Sequence, residues 1–259
     1  YLLWKKKKNN QSKIELDKPE SFFDIRTRYI LKRILFKNFY YRFIGKHENE
    51  SLRIWEILSK NISKNENILD IGSYDFEYSI LAQKCNKNIK IFAFDILLKD
   101  TSKLHKNIIF NNIALSNSNI KKYVEIEKQK TRIVDYKTNN KINCIKLDDF
   151  IFNNNIYPKL IKCDVEGAEV NIFSASQKTL HKFRPIILCE VLTNTNGSKL
   201  EKVFQNDYDF YFINEDKGIK AKDKIKRISM KYKNWLFVPK ENNLKLKKSF
   251  FHTYNILYK

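Results

Sequence analysis

The sequence predicts an α/β fold, a doubly wound and mostly parallel sheet closed by an antiparallel C-terminal hairpin. Three observations predict it. Short apolar runs rich in β-branched residues, among them Ile68–Ile71, Ile89–Asp95 and Leu160–Asp164, alternate with segments whose apolar residues recur at helical spacing. Gly72 follows the first run at once, in a chain with only 5 glycines, and marks a strand–turn–helix unit. The last two runs, Tyr208–Asn214 and Trp235–Pro239, have no helical pattern between them, only a Lys-rich connection containing Gly218. Strands joined without a helix pair antiparallel.

Each element has its own reason. Residues 1–20 are a basic, polar arm, whose Tyr1–Trp4 start reads as a frayed tail or, alternatively, as the end of a lost apolar segment or an interfacial anchor. Residues 21–60 are helical: Phe22, Ile25, Tyr29, Ile30, Ile34 and Leu35 repeat at helical spacing, and Ile54, Trp55 and Leu58 share a face of a helix over Ser51–Ser59. The first of these helices braces the core or, alternatively, docks on a membrane surface. Residues 61–240 carry the α/β alternation, and residues 241–259 form a basic tail. Within the alternation, Tyr74–Cys85 reads as a helix, Lys99–Lys106 as a short helix and Asn107–Ser116 as a third strand. The polar stretch 117–141 is an exposed hairpin or excursion, Ile142–Leu147 a short strand, and Asp148–Asp149 cap a short helix. Pro158 and Pro185 open strands, where the missing N–H is not yet needed, and helices run to Leu180 and near Lys199–Phe204.

Composition narrows the function. The 259 residues are 42% hydrophobic and 14% aromatic, which suits one packed core and excludes a disordered chain. No apolar run approaches the roughly 18 residues of a membrane span. The net charge of +21 invites an anionic partner. The lysines are scattered, however, and Asn and Ile are overused with them, so compositional drift accounts for the charge. With no aromatic–basic platform, nucleic acid is not the expected partner, while peripheral contact with an anionic membrane stays open. Cys85, Cys144, Cys163 and Cys189 form no CxxC pair and no metal spacing, and read as thiols in a reducing, cytoplasmic compartment.

The chemistry-bearing residues collect at the strand ends. The Gly72 turn is expected to leave backbone N–H groups free beside a helix start. Asp95 lies 23 residues beyond Gly72, the spacing at which a carboxylate grips a ribose diol; a helix-cap role is the alternative. Asp164, Glu166, Glu169 and Glu190 lie at the ends of adjacent strands, Glu166 and Glu169 in a helix's first turn, where capping suits Glu169. A helix entering a parallel strand starts near that strand's carboxyl end, so His47 and Glu50 fall on this edge and His105 and His181 on the opposite one. His47 is thus the candidate second base beside Asp164. No set of residues reads as a metal site.

IKCDVEGAE (Ile161–Glu169) resembles the signature of FkbM-type methyltransferases, usually IKIDVEGAE. In the family's order stand LDIGS (69–73), IFAFD (91–95), NIALS (112–116), IKLDDF (145–150), RPIILCEV (184–191) and NWLFVPKE (234–241), covering roughly residues 48–241. The resemblance implies a class I, Rossmann-like methyltransferase with seven strands, the last antiparallel, and S-adenosyl-L-methionine (SAM) as cofactor. It implies that Asp70 orients the glycine loop and the methionine end of SAM, and that Gly72, Ser73 and Tyr74 line the cofactor. By the same resemblance Asp95 takes the ribose hydroxyls, Ile96 and Ala114 flank adenine, and Asp164 faces the transferred methyl. Tyr74 and Phe76 stand where the family has small residues. The implied function is O-methylation of a hydroxyl on a sugar, glycoconjugate or related metabolite. The alternative is an impaired methyltransferase fold that binds RNA or an anionic membrane through its basic surface.

Overall fold

A computed structural model describes residues 48–127, 130–204, 207–229, 231–241 and 245–258. The arm, the expected helices before residue 48, and His47 lie outside the described residues. The elements run α1 (Asn49–Lys60), β1 (Asn67–Ile71), α2 (Glu77–Cys85), β2 (Lys90–Phe94), β3 (Ile108–Asn111), β4 (Ala114–Leu115), β5 (Lys121–Glu127), β6 (Lys130–Val134), β7 (Asn140–Ile145) and α3 (Leu147–Asn153). They continue with β8 (Pro158–Cys163), α4 (Glu169–Ser174), α5 (Gln177–Phe183), β9 (Ile186–Glu190), α6 (Asn194–Phe204), β10 (Tyr208–Asn214), β11 (Gly218–Lys222), β12 (Asn234–Pro239) and α7 (Lys245–Tyr258).

The main sheet has the order β11-β10-β12-β9-β8-β1-β2-β3. Its central strands are parallel, and β12 runs antiparallel between β9 and β10. The order therefore turns outward in both directions from the β1/β8 boundary, which is the crevice of a doubly wound sheet. Alternation along the strands serves two faces. Leu69, Ile71, Ile161, Cys163, Trp235 and Phe237 face a core shared with α3 to α6. On the other face α1 and α2 pack together, Trp55 donating its indole N–H to the Tyr78 carbonyl at 2.9 Å with the two rings edge to face. A second sheet, β4-β7-β5-β6, flanks this body with a small core of Ala114, Val124, Ile142 and Cys144.

Several elements differ from the sequence reading. Lys99–Lys106 holds turns instead of a helix; the Asp100 carboxylate takes the Ser102 N–H, a local bond that competes with helix. The expected third strand divides at Asn112 into β3 and β4, which join different sheets. The helix expected up to Leu180 breaks at Ala175–Ser176 into α4 and α5. Asp148 accepts from the N–H groups of Lys178 and Thr179, so it caps α5 rather than its own helix. The connection with Gly218 contains β11, a hairpin partner of β10. The segment read as a basic tail carries α7, which docks on α1 through the buried Phe250 and a Tyr254 hydroxyl that donates to Glu50 Oε1 at 2.6 Å.

Candidate active site

Two turns at the carboxyl edge of the sheet interlock. Gly72 has φ +78°, and a Cβ there would stand 1.8 Å from the Asp164 carbonyl oxygen, so the turn after β1 lies directly on the turn after β8. The Asp164 N–H returns a bond to the Ile71 carbonyl at 3.0 Å. The glycine is thus required by backbone packing between the two turns. Four of the N–H groups expected to be free are taken. Gly72 and Ser73 donate to the Phe94 carbonyl at 2.9 and 3.0 Å, Phe76 to the Ser73 carbonyl at 2.6 Å, and Tyr74 to Asp95 Oδ2 at 2.8 Å. Three of these four donors are taken by Phe94 and Asp95 at the end of β2, and the fourth by the turn itself.

Tyr74 and Phe76 both take left-handed backbone, φ 42° and 65°, which costs a bulky residue on the order of 1 kcal/mol. Phe76 is buried and stacks edge to face on Phe110 of β3 at 5.3 Å. It packs into the body against β3. Tyr74 is exposed, with the Lys99 ammonium 4.5 Å from its ring centroid.

Asp95 directly follows β2 and holds two turns, taking the Tyr74 N–H on Oδ2 and the Leu97 N–H on Oδ1, each at 2.8 Å. A carboxylate has room for further donors beyond these two. Asn112, quoted in the NIALS motif but given no role there, donates to the carbonyls of Asp95 and Ile96 at 3.0 and 3.1 Å and so fixes the orientation of both. Ile96 packs on the small core to which Ala114 belongs, so these two residues share one apolar wall.

Asp70 is buried and reaches α2, where Oδ2 accepts from the Ser79 hydroxyl at 2.6 Å and its N–H at 3.1 Å. Burial raises its pKa, and Lys162 is the largest opposing influence. Lys162 pairs in register with Asp70 across β1/β8. Its side chain is 9% exposed, its Nζ lies 3.2 Å from Asp164 Oδ2, and it sits 4.7 Å from the Tyr78 ring centroid. Burial alone would lower its pKa, but the carboxylates of Asp164, Asp70 and Glu48 outweigh that and raise it. The Tyr78 hydroxyl donates to Glu48 Oε2 at 2.5 Å, closing the group on the side of α1. Glu48 therefore occupies the edge where topology placed the start of α1, whereas Glu50 turns to Tyr254. Lys162 was not singled out from the sequence; its signal was a charge inside the otherwise apolar run LIKC.

On the far side of Asp164, Glu190 pairs with Lys233 at 3.3 Å. Burial first, and then the Asp164 charge, push its pKa up to about 7. Glu169 starts α4 and takes the N–H groups of Val165 and Gly167 on Oε1 at 3.2 and 3.1 Å; both precede the helix, so its carboxylate braces the turn after β8 rather than capping α4. Glu166 lies before that helix with φ 52°, not in its first turn. His105 accepts from the Asn107 N–H in the turn before β3, and His181 lies in the last turn of α5. Cys144, Cys163 and Cys189 are buried free thiols. Among the described residues no group of His, Cys, Asp and Glu is arranged to hold a metal, and no helix is long and apolar enough to cross a membrane.

Comparison with known proteins places this edge in context. Among solved structures, the methyltransferase FkbM of Methylobacillus flagellatus KT is similar at 13% identity and a TM-score of 0.45, over 68% of this chain and 44% of that one, so the chain spans less than half of its length. Precorrin-6y C5,15-methyltransferase of Geobacter metallireducens matches at 13% identity and 0.39, over 72% of this chain and 86% of that one. The plantazolicin methyltransferase BpumL, crystallised with a pentazolic desmethylPZN analogue and SAH, matches at 12% identity and a TM-score of 0.40, over 85% of this chain and 94% of that one. At such scores these likenesses carry no weight for activity. No curated protein matches. The methyltransferase FkbM domain, by contrast, matches residues 61–215, more than half of the sequence. The chain belongs to the FkbM methyltransferase family.

Proposed function

We propose that the chain transfers a methyl group from SAM to a hydroxyl of a sugar, glycoconjugate or related metabolite. One observation carries the reading: the Asp70–Lys162–Asp164 chain joins the turn after β1 to the turn after β8 at the switch point of the sheet. The residues fit the cofactor. Asp70 Oδ1 and Ser73 Oγ are buried and have no partner among the described residues; the carboxylate oxygen suits an amino acid's ammonium, and the serine hydroxyl, both donor and acceptor, suits its ammonium or its carboxylate. Asp95 offers its remaining lone pairs to a diol, and Ile96 with Ala114 offers an apolar wall to a base.

When bound, SAM supplies an activated methyl on a sulfonium. The protein then has two tasks. Holding the acceptor in line accounts for about 7–11 kcal/mol of the barrier. The remaining task is to take the hydroxyl proton as the new C–O bond forms. Asp164, with one oxygen held by Lys162, is one acceptor for that proton. Glu190 Oε2, buried and unpartnered among the described residues, is the other.

Calorimetry with SAM tests the cofactor. Asp95→Ala is expected to weaken SAM binding about 10- to 100-fold, the loss of one or two hydrogen bonds to a charged group. Unchanged affinity would remove the ribose assignment, and absence of SAM binding by the native chain would remove the enzymatic reading. A second expectation concerns pH. A carboxylate accepts a proton only when ionised, so with Glu190 near 7 the transfer rate rises through about pH 7 and then levels. Glu190→Gln abolishes that limb; a profile unchanged by the substitution assigns the proton to another group.

A further inference from the structure

The segment between β11 and β12 is strongly cationic. Of residues 222–233, six are Lys or Arg and one is Asp, against 50 cations in the 259 residues of the chain. Compositional drift spreads lysines evenly; it does not build a structure to present them. Here one is built. The segment climbs α6 toward the carboxyl edge of the sheet. Ile225 is buried, and its N–H donates to the Glu201 carboxylate. Its carbonyl oxygen lies 2.3 Å from where a Cβ on Gly197 would stand, so glycine is required inside α6 for the segment to lie there. The Arg227 N–H then donates to Asn194 Oδ1 at 2.6 Å, at the first residue of α6. With the backbone pinned at these points, Lys224, Lys226 and Arg227 are held outward, exposed and without an ion pair among the described residues.

The segment also ends at the candidate site. Val191 donates to the Lys233 carbonyl, and Lys233 pairs with Glu190. Asn196, two residues past the Arg227 anchor, donates to the Gly167 carbonyl in the turn that follows Asp164. The row of cations thus begins on the flank of α6 and finishes beside Asp164 and Glu190.

We infer that this segment binds an acidic group on the acceptor, so that the substrate is an acidic glycan bearing carboxylate, sulfate or phosphate. The inference rests on the methyltransferase reading for the word acceptor, though not for the binding itself. A single exposed apolar residue, Ile228, accompanies the cations. A membrane-docking surface needs a broader apolar face, so a soluble polyanion is the better match.

The test is calorimetry of the full chain with a sulfated heparin hexasaccharide, and with neutral maltohexaose as control. Binding is expected for the sulfated sugar only and to weaken with salt. The triple variant Lys224→Gln/Lys226→Gln/Arg227→Gln is expected to lose about tenfold in affinity, the sum of three exposed ion pairs of ordinary strength. Lys64→Gln/Lys87→Gln/Lys90→Gln removes the same charge from the opposite edge of the sheet and is expected to change affinity less than about twofold. Equal losses in both variants would reduce the effect to diffuse charge and overturn the inference. So would failure to bind the hexasaccharide, or variant-sensitive binding to phosphatidylglycerol vesicles or RNA in its place. SAM calorimetry on the same proteins keeps the two readings apart: SAM bound without the sugar refutes this inference alone, and sugar bound without SAM refutes the enzymatic one.

Discussion

Lys162→Met is expected to destabilise the protein at pH 8 by about 3–5 kcal/mol, the usual cost of stranding a buried charge. Methionine fills nearly the same space, so packing is kept while the counter-charge is lost. Asp70, already raised by burial against the pull of Lys162, would be raised further. A carboxylate whose folded pKa exceeds its unfolded value of about 3.9 binds its proton more tightly when folded, so stability falls as pH rises between the two values. The variant should therefore lose less at pH 5 than at pH 8. Thermal melts at both pH values measure this. An equal loss at each would mean that Lys162 acts through its methylenes rather than its charge. Lys162→Arg should retain most of the native stability at pH 8, because the guanidinium keeps the cation.

Gly72→Ala has the second largest expected effect. The new methyl would meet the Asp164 carbonyl oxygen at 1.8 Å and the Val165 Cγ1 at 3.2 Å, on a backbone with φ +78°. Overpacking of backbone against backbone costs about 1–3 kcal/mol, and the left-handed alanine adds about 1. A loss of about 3 kcal/mol lowers Tm by roughly 6–12 °C in a chain of this size. The turn bearing Asp164 must move to relieve the contact, so SAM affinity should fall with stability. An alanine variant that melts and binds as the native protein does would show that the two turns are not locked together.

The sequence made the central strands legible because their apolar runs are short, β-branched and bounded by Gly, Pro or Asp. It hid β11, since GIKAK is short, half polar and carries no alternation to mark a buried face. It hid the split at Asn112 because the residue bonds to carbonyls of a turn 16 and 17 positions earlier, a contact no local pattern encodes. Within the candidate site, type and spacing singled out Gly72 and Asp95, whereas Asp70 and Asp164 were singled out by resemblance to the family's motifs. Lys162, Glu48 and Tyr78 were missed because their significance is mutual: each is unremarkable until β8, α1 and α2 meet. The Gly72 turn was misjudged for a different reason. A glycine after a strand suggests open donors, but Tyr74 and Phe76 let the turn close on Asp95 and Ser73.

The position of β12 has a consequence for synthesis. The strand that completes the sheet comes from residues 234–239, yet it lies between β9 and β10. Until the ribosome has released it, β9 presents a raw hydrogen-bonding edge, and β10 with β11 is a hairpin without a berth. A polypeptide ending at residue 215, where the family match stops, would keep that gap permanently and should self-associate.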